Sequence, residues 1–139
     1  MTPERPYDAA MDVAGRTELH YAALTNDVPA AEAGLAAGED PNRTDVEGFT
    51  PLHLAAQARA AEVARLLVDH GADVDRANAY GNTPLFTAVF NSQGDGSVIE
   101  LLRASGADPL RANLSGQTPI GLARLIDNYN VACFFADLP

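Results

Sequence analysis

The sequence predicts an all-α solenoid, in which short helical repeats stack side by side along one elongated core. The main observation is a recurring phrase, Gly-x-Thr-Pro-Leu-x-x-Ala, whose glycines follow one another after 33, 33 and 35 residues, at Gly15, Gly48, Gly81 and Gly116. A second observation is that apolar residues at helical spacing follow the phrase, as in residues 63–67. Self-similarity at such a period is typical of stacked repeats, not of a globule folded about one centre.

The most regular copy, residues 45–77, predicts a turn followed by two helices. Gly48 supplies the conformational freedom that the turn requires. Thr50 is a favourable N-cap and Pro51 a favourable first helical residue, because a proline has no N–H to leave unpaired there. The second helix ends at Gly71, a helix-terminating glycine.

This turn–helix–helix–return unit resembles the ankyrin repeat family, whose Thr-Pro-Leu-His-x-Ala signature is matched by residues 50–55. The resemblance covers nearly all of the chain and implies an ankyrin-repeat solenoid with β-turn protrusions. All nine basic residues are arginine and alanine is frequent, which indicates a GC-rich genome and favours a bacterial source. The resemblance divides the single domain into an N-terminal lead, three full repeats and a C-terminal capping repeat: 1–11, 12–44, 45–77, 78–112 and 113–139.

Several positions depart from the pattern. Glu18 replaces the proline of the first unit, whose second helix contains Pro29 and Gly34. Proline is tolerated there if it lies in the first helical turn. The third unit carries two extra residues within 91–97, and the preserved phase on either side places them in the turn between its helices. We expect this insertion to bulge outward as a flexible tip.

The charge balance narrows the class of partner. With 19 acidic and nine basic residues the net charge is −10. This argues against nucleic acid and against an anionic membrane surface, and it would steer a basic partner toward the protein. The first residues lack the apolar stretch of a secretory signal, and no run is long enough to span a bilayer. We expect a cytoplasmic protein.

The sequence shows none of the common catalytic motifs, and we expect neither an enzyme nor a cofactor. His20 and His53 occupy the histidine position of the repeat, where the ring is expected to bond the N-cap threonine and its neighbours. His70 precedes a helix-ending glycine, where it favours the helix dipole. The three histidines have no zinc-ligand spacing, so no metal is expected. Cys133, in an apolar run, is interpreted as a small buried hydrophobe.

In ankyrin stacks the concave face, built from turn tips and first helices, is where a partner protein binds. Several of the matching positions here are apolar or aromatic, which favours an interaction patch. An alternative is that Phe49 and Tyr80 pack against the next turn. The predicted partner-binding residues are Arg16, Val46, Glu47, Phe49, Gln57, Tyr80, Asn82, Phe90, Asn91, Leu114 and Gln117.

Arg43, Arg76 and Arg111 occupy one position in three successive units and should form a row in the stack. One interpretation is that each arginine pairs locally with an acid or a backbone carbonyl. The other is a ridge that binds an acidic or carboxylate-bearing partner.

The function predicted from these observations is binding of another protein through the concave face by a monomeric protein. An alternative is an acidic antidote that neutralises a basic toxin or enzyme, as the net charge suggests. A third hypothesis is a small-molecule-binding protein or enzyme that uses the 91–97 loop with Asp95. A fourth is a structural adaptor or self-associating subunit that exposes its weak first repeat.

Overall fold

The computed structural model describes residues 14–139, and the chain in this range is helical throughout, with no β-strand. The predicted lead, residues 1–11, lies outside this range. The all-α repeat fold is therefore confirmed. The elements are α1 (Glu18–Thr25), α2 (Val28–Ala36), α3 (Pro51–Gln57), α4 (Ala61–Asp69), α5 (Pro84–Asn91), α6 (Ser97–Ala104), α7 (Pro119–Leu125) and a 3₁₀ helix (Val131–Phe135).

The first helix of each pair begins at a threonine whose side-chain oxygen accepts a hydrogen bond from the backbone N–H three residues later. This bond satisfies a donor that the helix itself cannot pair. Glu18 stands where the other three helices have proline, and α1 forms without it. Pro29 lies in the first turn of α2, the position at which the sequence predicts that a proline is tolerated. The capping residues are Thr17, Thr50, Thr83 and Thr118.

The helices form two rows. Helices α1, α3, α5 and α7 pack in order against one another, and α2, α4 and α6 form the row behind them. One buried cluster runs the length of the stack between the rows. Small side chains let the first helices approach closely, which is why alanine recurs beside leucine or isoleucine. The recurring buried positions are Leu19, Leu52, Leu85 and Ile120, and Ala22, Ala55, Ala88 and Ala123.

The insertion of the third unit lies between α5 and α6, as predicted, with Gln93, Gly94 and Asp95 exposed at its tip, and the flexibility of this tip stays a prediction. Ser92 is buried, and the loop packs against the C-terminal segment. A Cβ atom placed on Gly94 would lie 3.1 Å from Cδ1 of Tyr129, and one on Gly96 would overlap the ring of Phe134. The glycines thus allow an approach that any side chain would obstruct.

The C-terminal cap ends in a 3₁₀ helix. Val131 and Phe135 are buried while Cys133 is exposed, so the prediction of a buried cysteine is wrong. A helix this short can bury only one side, and Cys133 lies on the other. Its Sγ lies 2.8 Å from the carbonyl oxygen of Asn130.

Arg103 on α6 holds the cap against the third repeat. Its guanidinium donates to the Asp137 carboxylate at 2.7 and 2.9 Å and to the Phe134 carbonyl oxygen at 2.9 Å. The guanidinium carbon also lies 5.2 Å from the centre of the Phe135 ring. The hydrogen bonds from Arg103 lower the pKa of Asp137. Across residues 14–139, none of the helices has the length and apolar character needed to cross a bilayer.

Candidate functional site

The turns that connect the repeats are closed by one side chain each, at Asp45, Asn78 and Asn113. In each turn the Oδ1 atom accepts hydrogen bonds from the backbone N–H groups two and four residues later, at 2.9–3.0 Å. Aspartate and asparagine suit this position because their short polar side chains can bond the nearby backbone. The turns therefore present their tips in a fixed conformation. The donor residues are Glu47 and Phe49, Tyr80 and Asn82, and Ser115 and Gln117.

Successive turns are also joined through the backbone. The Val46 N–H donates to the Ala14 carbonyl oxygen at 2.9 Å, and the Ala79 N–H to that of Glu47 at 2.8 Å. The same bond recurs at 3.1 Å between the Leu114 N–H and the Tyr80 carbonyl. These bonds align the turn tips in one row.

His20 and His53 connect each turn to the next. In His53, Nδ1 accepts from the Thr50 N–H at 3.2 Å, and Nε2 lies 2.8 Å from the Asn82 carbonyl oxygen in the following turn. His20 is bonded in the same way to Thr17 and to the Phe49 carbonyl. The threonine contacts confirm the predicted structural role of these histidines, and their reach into the next turn extends it.

Burial controls the protonation of these rings. It lowers the pKa of His53 from 6.5 to about 4, although the hydrogen bond to the Asn82 carbonyl acts in the opposite direction. Burial also lowers the pKa of His20. Both rings are therefore neutral at physiological pH. Phe86 and Gly121 fill the equivalent positions of α5 and α7, where no imidazole is present.

A second contact between turns joins the residue after each turn glycine to the turn-closing residue of the next repeat. At the first junction, the Arg16 Nε donates to the Asp45 Oδ2 at 3.2 Å. At the third junction, the Asn113 Nδ2 donates to the Asn82 Oδ1 at 2.8 Å. The predicted binding residues Arg16 and Asn82 thus use side-chain polar atoms for hydrogen bonds within the stack.

The middle junction is different because Phe49 stands in the position of Arg16 and Asn82. Phenylalanine offers no hydrogen-bonding side-chain atom, and the buried Asn78 Nδ2 has no hydrogen-bond partner within the described part of the chain. Phe49 is half-buried against the core, and its ring makes edge contacts with His53 at 5.6 Å and with Tyr80 at 6.4 Å between centroids. The alternative of local packing therefore applies to Phe49.

Five of the predicted residues line a single pocket of about 280 Å³ between the second and third repeats. The pocket joins turn residues to residues on α3 and α5, as the predicted face requires. Its predicted members are Phe49, Gln57, Asn82, Phe90 and Asn91. Sequence reasoning did not assign the other three, Asn78, Phe86 and Thr87, to a binding surface, although Asn78 belongs to the recurring turn-closing column.

The remaining predicted residues lie at the turn tips. Tyr80 is half-exposed, and its hydroxyl donates to the Glu47 carboxylate at 2.9 Å, which raises the pKa of the phenol. Val46, Leu114 and Gln117 are exposed. None of these three lines the pocket, so the predicted set comprises both a pocket and a surrounding surface.

The arginine row is exposed at all three positions, Arg43, Arg76 and Arg111. The Arg111 Nη1 donates to the Asp75 carbonyl oxygen of the preceding repeat at 2.9 Å. This bond agrees with the local interpretation for Arg111. Binding of an acidic partner by the row stays a prediction.

In the loop between α5 and α6, the carboxylate of Asp95 is bonded within the loop itself. The Asp95 Oδ1 accepts from the Ser97 N–H at 3.0 Å, and this bond lowers the pKa of the carboxyl. Within the described part of the chain, no group of three or more His, Cys, Asp or Glu side chains is arranged to hold a metal ion.

Comparison with known proteins agrees with this geometry. The family model of ankyrin repeats matches residues 19–113 in three copies, which is more than half of the chain. A search of curated proteins gives no match. Ankyrin repeats are generally protein–protein interaction modules and are typically not enzymes. With its capped helix pairs, linked turns and matching profile, the chain belongs to the ankyrin repeat family.

Proposed function

We propose that this protein binds another protein through the surface made by its turn tips and the ends of its first helices, which we call the turn–helix face. Exposed apolar side chains are the observation that carries the proposal. Val46 and Leu114 occupy the same turn position and are 72% and 80% exposed, and Phe90 and Leu125 share a position on α5 and α7 and are each 69% exposed. Apolar groups that the core does not use, gathered on one face, are typical of interaction sites.

The framework behind these side chains also supports the proposal. Turn closure by Asp45, Asn78 and Asn113 holds the tips in place before any partner arrives. Less conformational freedom is then lost on binding, which favours affinity. Exposed polar residues such as Glu47 and Gln117 surround the apolar groups, as at the rim of many interfaces.

The experiment is affinity capture from the native cell lysate with matched variants. Leu114→Ala removes an exposed leucine on the face, and Leu110→Ala removes an exposed leucine outside it, in the connection before the turn that Asn113 closes. Capture by Leu114→Ala and Phe90→Ala should fall at least about tenfold, while Leu110→Ala should match the wild type. Phe49 is a poor choice because its ring packs on the core. Equal capture by all variants would contradict the assignment.

A basic partner is a second candidate. Besides the net charge of −10, a groove of about 750 Å³ between α4 and α6 is lined by Glu62, Asp69 and Glu100 against the single base Arg65. A cationic toxin or enzyme would be attracted to such a surface. Affinity for this partner should fall steeply between about 0.05 and 0.5 M NaCl, because salt screens exposed charges. Affinity that does not change with salt would contradict electrostatic recognition.

We also propose that the protein is a monomer whose four repeats, 12–44, 45–77, 78–112 and 113–139, unfold as one domain. Light scattering should give the mass of one chain, 14.6 kDa. Circular dichroism and tyrosine fluorescence should report the same urea midpoint. A larger mass, or separate transitions, would contradict this part of the proposal.

A further inference from the structure

The buried amide of Asn78 has no hydrogen-bond acceptor among residues 14–139. Its Oδ1 accepts from the N–H groups of Tyr80 and Asn82, which fixes the orientation of the amide and leaves Nδ2 as the unpaired donor. The residue is only 7% exposed. Buried donors are almost always paired, so an unpaired one indicates a place where a ligand can supply the acceptor.

The pocket beside this amide is aromatic and uncharged. The rings of Phe49, Phe86 and Phe90 line it together with amide and hydroxyl side chains, and none of the described residues that line it is ionisable. A charged group entering it would lose its hydration without gaining a counter-charge. The volume of about 280 Å³ gives room for a single aromatic side chain.

We propose that this pocket anchors a tyrosine side chain of the partner, with the phenol ring against Phe49 and Phe90 and the phenol oxygen accepting from the Asn78 Nδ2. This inference rests on the proposed function, since it names the partner chemistry at the turn–helix face. A phenol combines the ring that three phenylalanines favour with the oxygen that the amide lacks. A phenylalanine would leave the donor unpaired, and an arginine would bring further donors. Nδ2 is covered in the free protein, so the pocket wall has to move when the phenol binds.

The test is a titration of the ¹⁵N-labelled protein with 4-methylphenol, followed by NMR. We expect saturable shifts of the Asn78 side-chain amide signals and of the Phe90 backbone amide, with a Kd on the order of 1 mM, as for other small fragments. Toluene, which has the ring without the oxygen, should bind at least about fivefold more weakly. No shift at Asn78, or equal affinity for toluene, overturns the proposal.

Matched variants locate the site. Phe90→Ala should weaken 4-methylphenol binding about fivefold or more by removing an aromatic wall. Leu125→Ala, at the same position on α7 but outside the pocket, should leave binding unchanged. Asn78→Asp keeps the turn-closing oxygen, as Asp45 shows in its own turn, but removes the donor. It should therefore abolish the preference over toluene. A preference that survives this change in a folded variant overturns the assignment of Asn78.

The failures of the two proposals can be told apart. Leu114 lies on the turn–helix face but outside the pocket. Loss of capture by Leu114→Ala without any binding of 4-methylphenol would overturn the pocket and leave the face standing. Binding of 4-methylphenol with undiminished capture by both Leu114→Ala and Phe90→Ala would overturn the face and, with it, the anchoring of a partner side chain in the pocket.

Discussion

The Nε2 atom of His53 lies 2.8 Å from the carbonyl oxygen of Asn82, so a ring at the start of one helix is bonded to the turn of the following repeat. Since the Nδ1 atom accepts from the Thr50 N–H, the proton resides on Nε2 and the ring is neutral. A second proton would place a donor against the Thr50 N–H. The junction between these repeats therefore depends on the ring staying deprotonated.

The first prediction concerns pH. The pKa of His53 is lowered from 6.5 to about 4 in the folded protein, so the unfolded chain binds the proton at the higher pH. The contribution of the neutral His53 ring to the free energy of unfolding is complete above about pH 6.5. It decreases by roughly 3 kcal/mol as the pH falls to about 4. Urea unfolding between about pH 8 and 4.5 measures this slope.

His53→Phe is the matched variant for that measurement, because Phe86 fills the same position on α5. It should be less stable at neutral pH and should show a shallower slope. Part of the slope should remain, since burial also lowers the pKa of His20. An unchanged slope in this variant would show that other groups cause the pH dependence.

The second prediction separates the two roles of Asp45. Asp45→Asn keeps the oxygen that closes the turn, as Asn78 does in its own turn, and loses the carboxylate that faces Arg16. It should lower the free energy of unfolding by about 1 kcal/mol or less. Asp45→Ala leaves two backbone N–H groups without their acceptor and should cost about 2–4 kcal/mol. Equal losses in the two variants, by urea unfolding, would place the main contribution in the ion pair.

The third prediction concerns the packed loop. In Gly96→Ala the new Cβ would overlap the Phe134 ring, while the backbone φ of −90° suits alanine. The ring has to move, which should cost about 1–3 kcal/mol as overpacking. Thermal unfolding measures the loss. Phe134→Ala removes the obstacle, so in that background Gly96→Ala should cost almost nothing; a full loss there would mean that the ring is not the cause.

The fourth prediction concerns the cap. Arg103→Ala removes the contacts with Asp137, with the Phe134 carbonyl and with the Phe135 ring. Hydrogen exchange of the amides of residues 131–138 should quicken about tenfold, while that of α3 stays unchanged. Arg65→Ala, on the exposed side of α4, is the control. Equal exchange in both variants would show that the cap is held by its apolar contacts alone.

The repeated parts of the fold could be predicted because their contacts are local and recur in phase. The threonine caps, the helix starts and the buried leucine and alanine positions all follow from a pattern seen several times in one sequence. The position of the insertion followed from the same phase. Its packing did not, because the contacts of Gly94 and Gly96 with Tyr129 and Phe134 occur once and cross more than thirty residues.

The turn–helix residues were predictable from phase, and the pocket was not. Its decisive feature is the pairing of Phe49 with Asn78, which leaves an amide without a partner. A spacing could have revealed it: Arg16 contacts Asp45, 29 residues later, and the same separation relates Phe49 to Asn78. Cys133 was misjudged because an apolar run does not reveal that a 3₁₀ helix buries one side only.

Because Phe86 stands in the histidine position of the third repeat, no imidazole links that repeat to the fourth. The fourth repeat is held to the third by Arg103, by the close approach of Gly94 and Gly96 to Tyr129 and Phe134, and by hydrogen bonds from Asn113, Leu114 and Ile120. The two ends of the stack therefore differ, because among residues 14–139 the histidine bonds between repeats occur only at the first two junctions. Under a pulling force we expect the stack to unfold from its C-terminal end, with the last repeat detaching before the junctions that His20 and His53 connect.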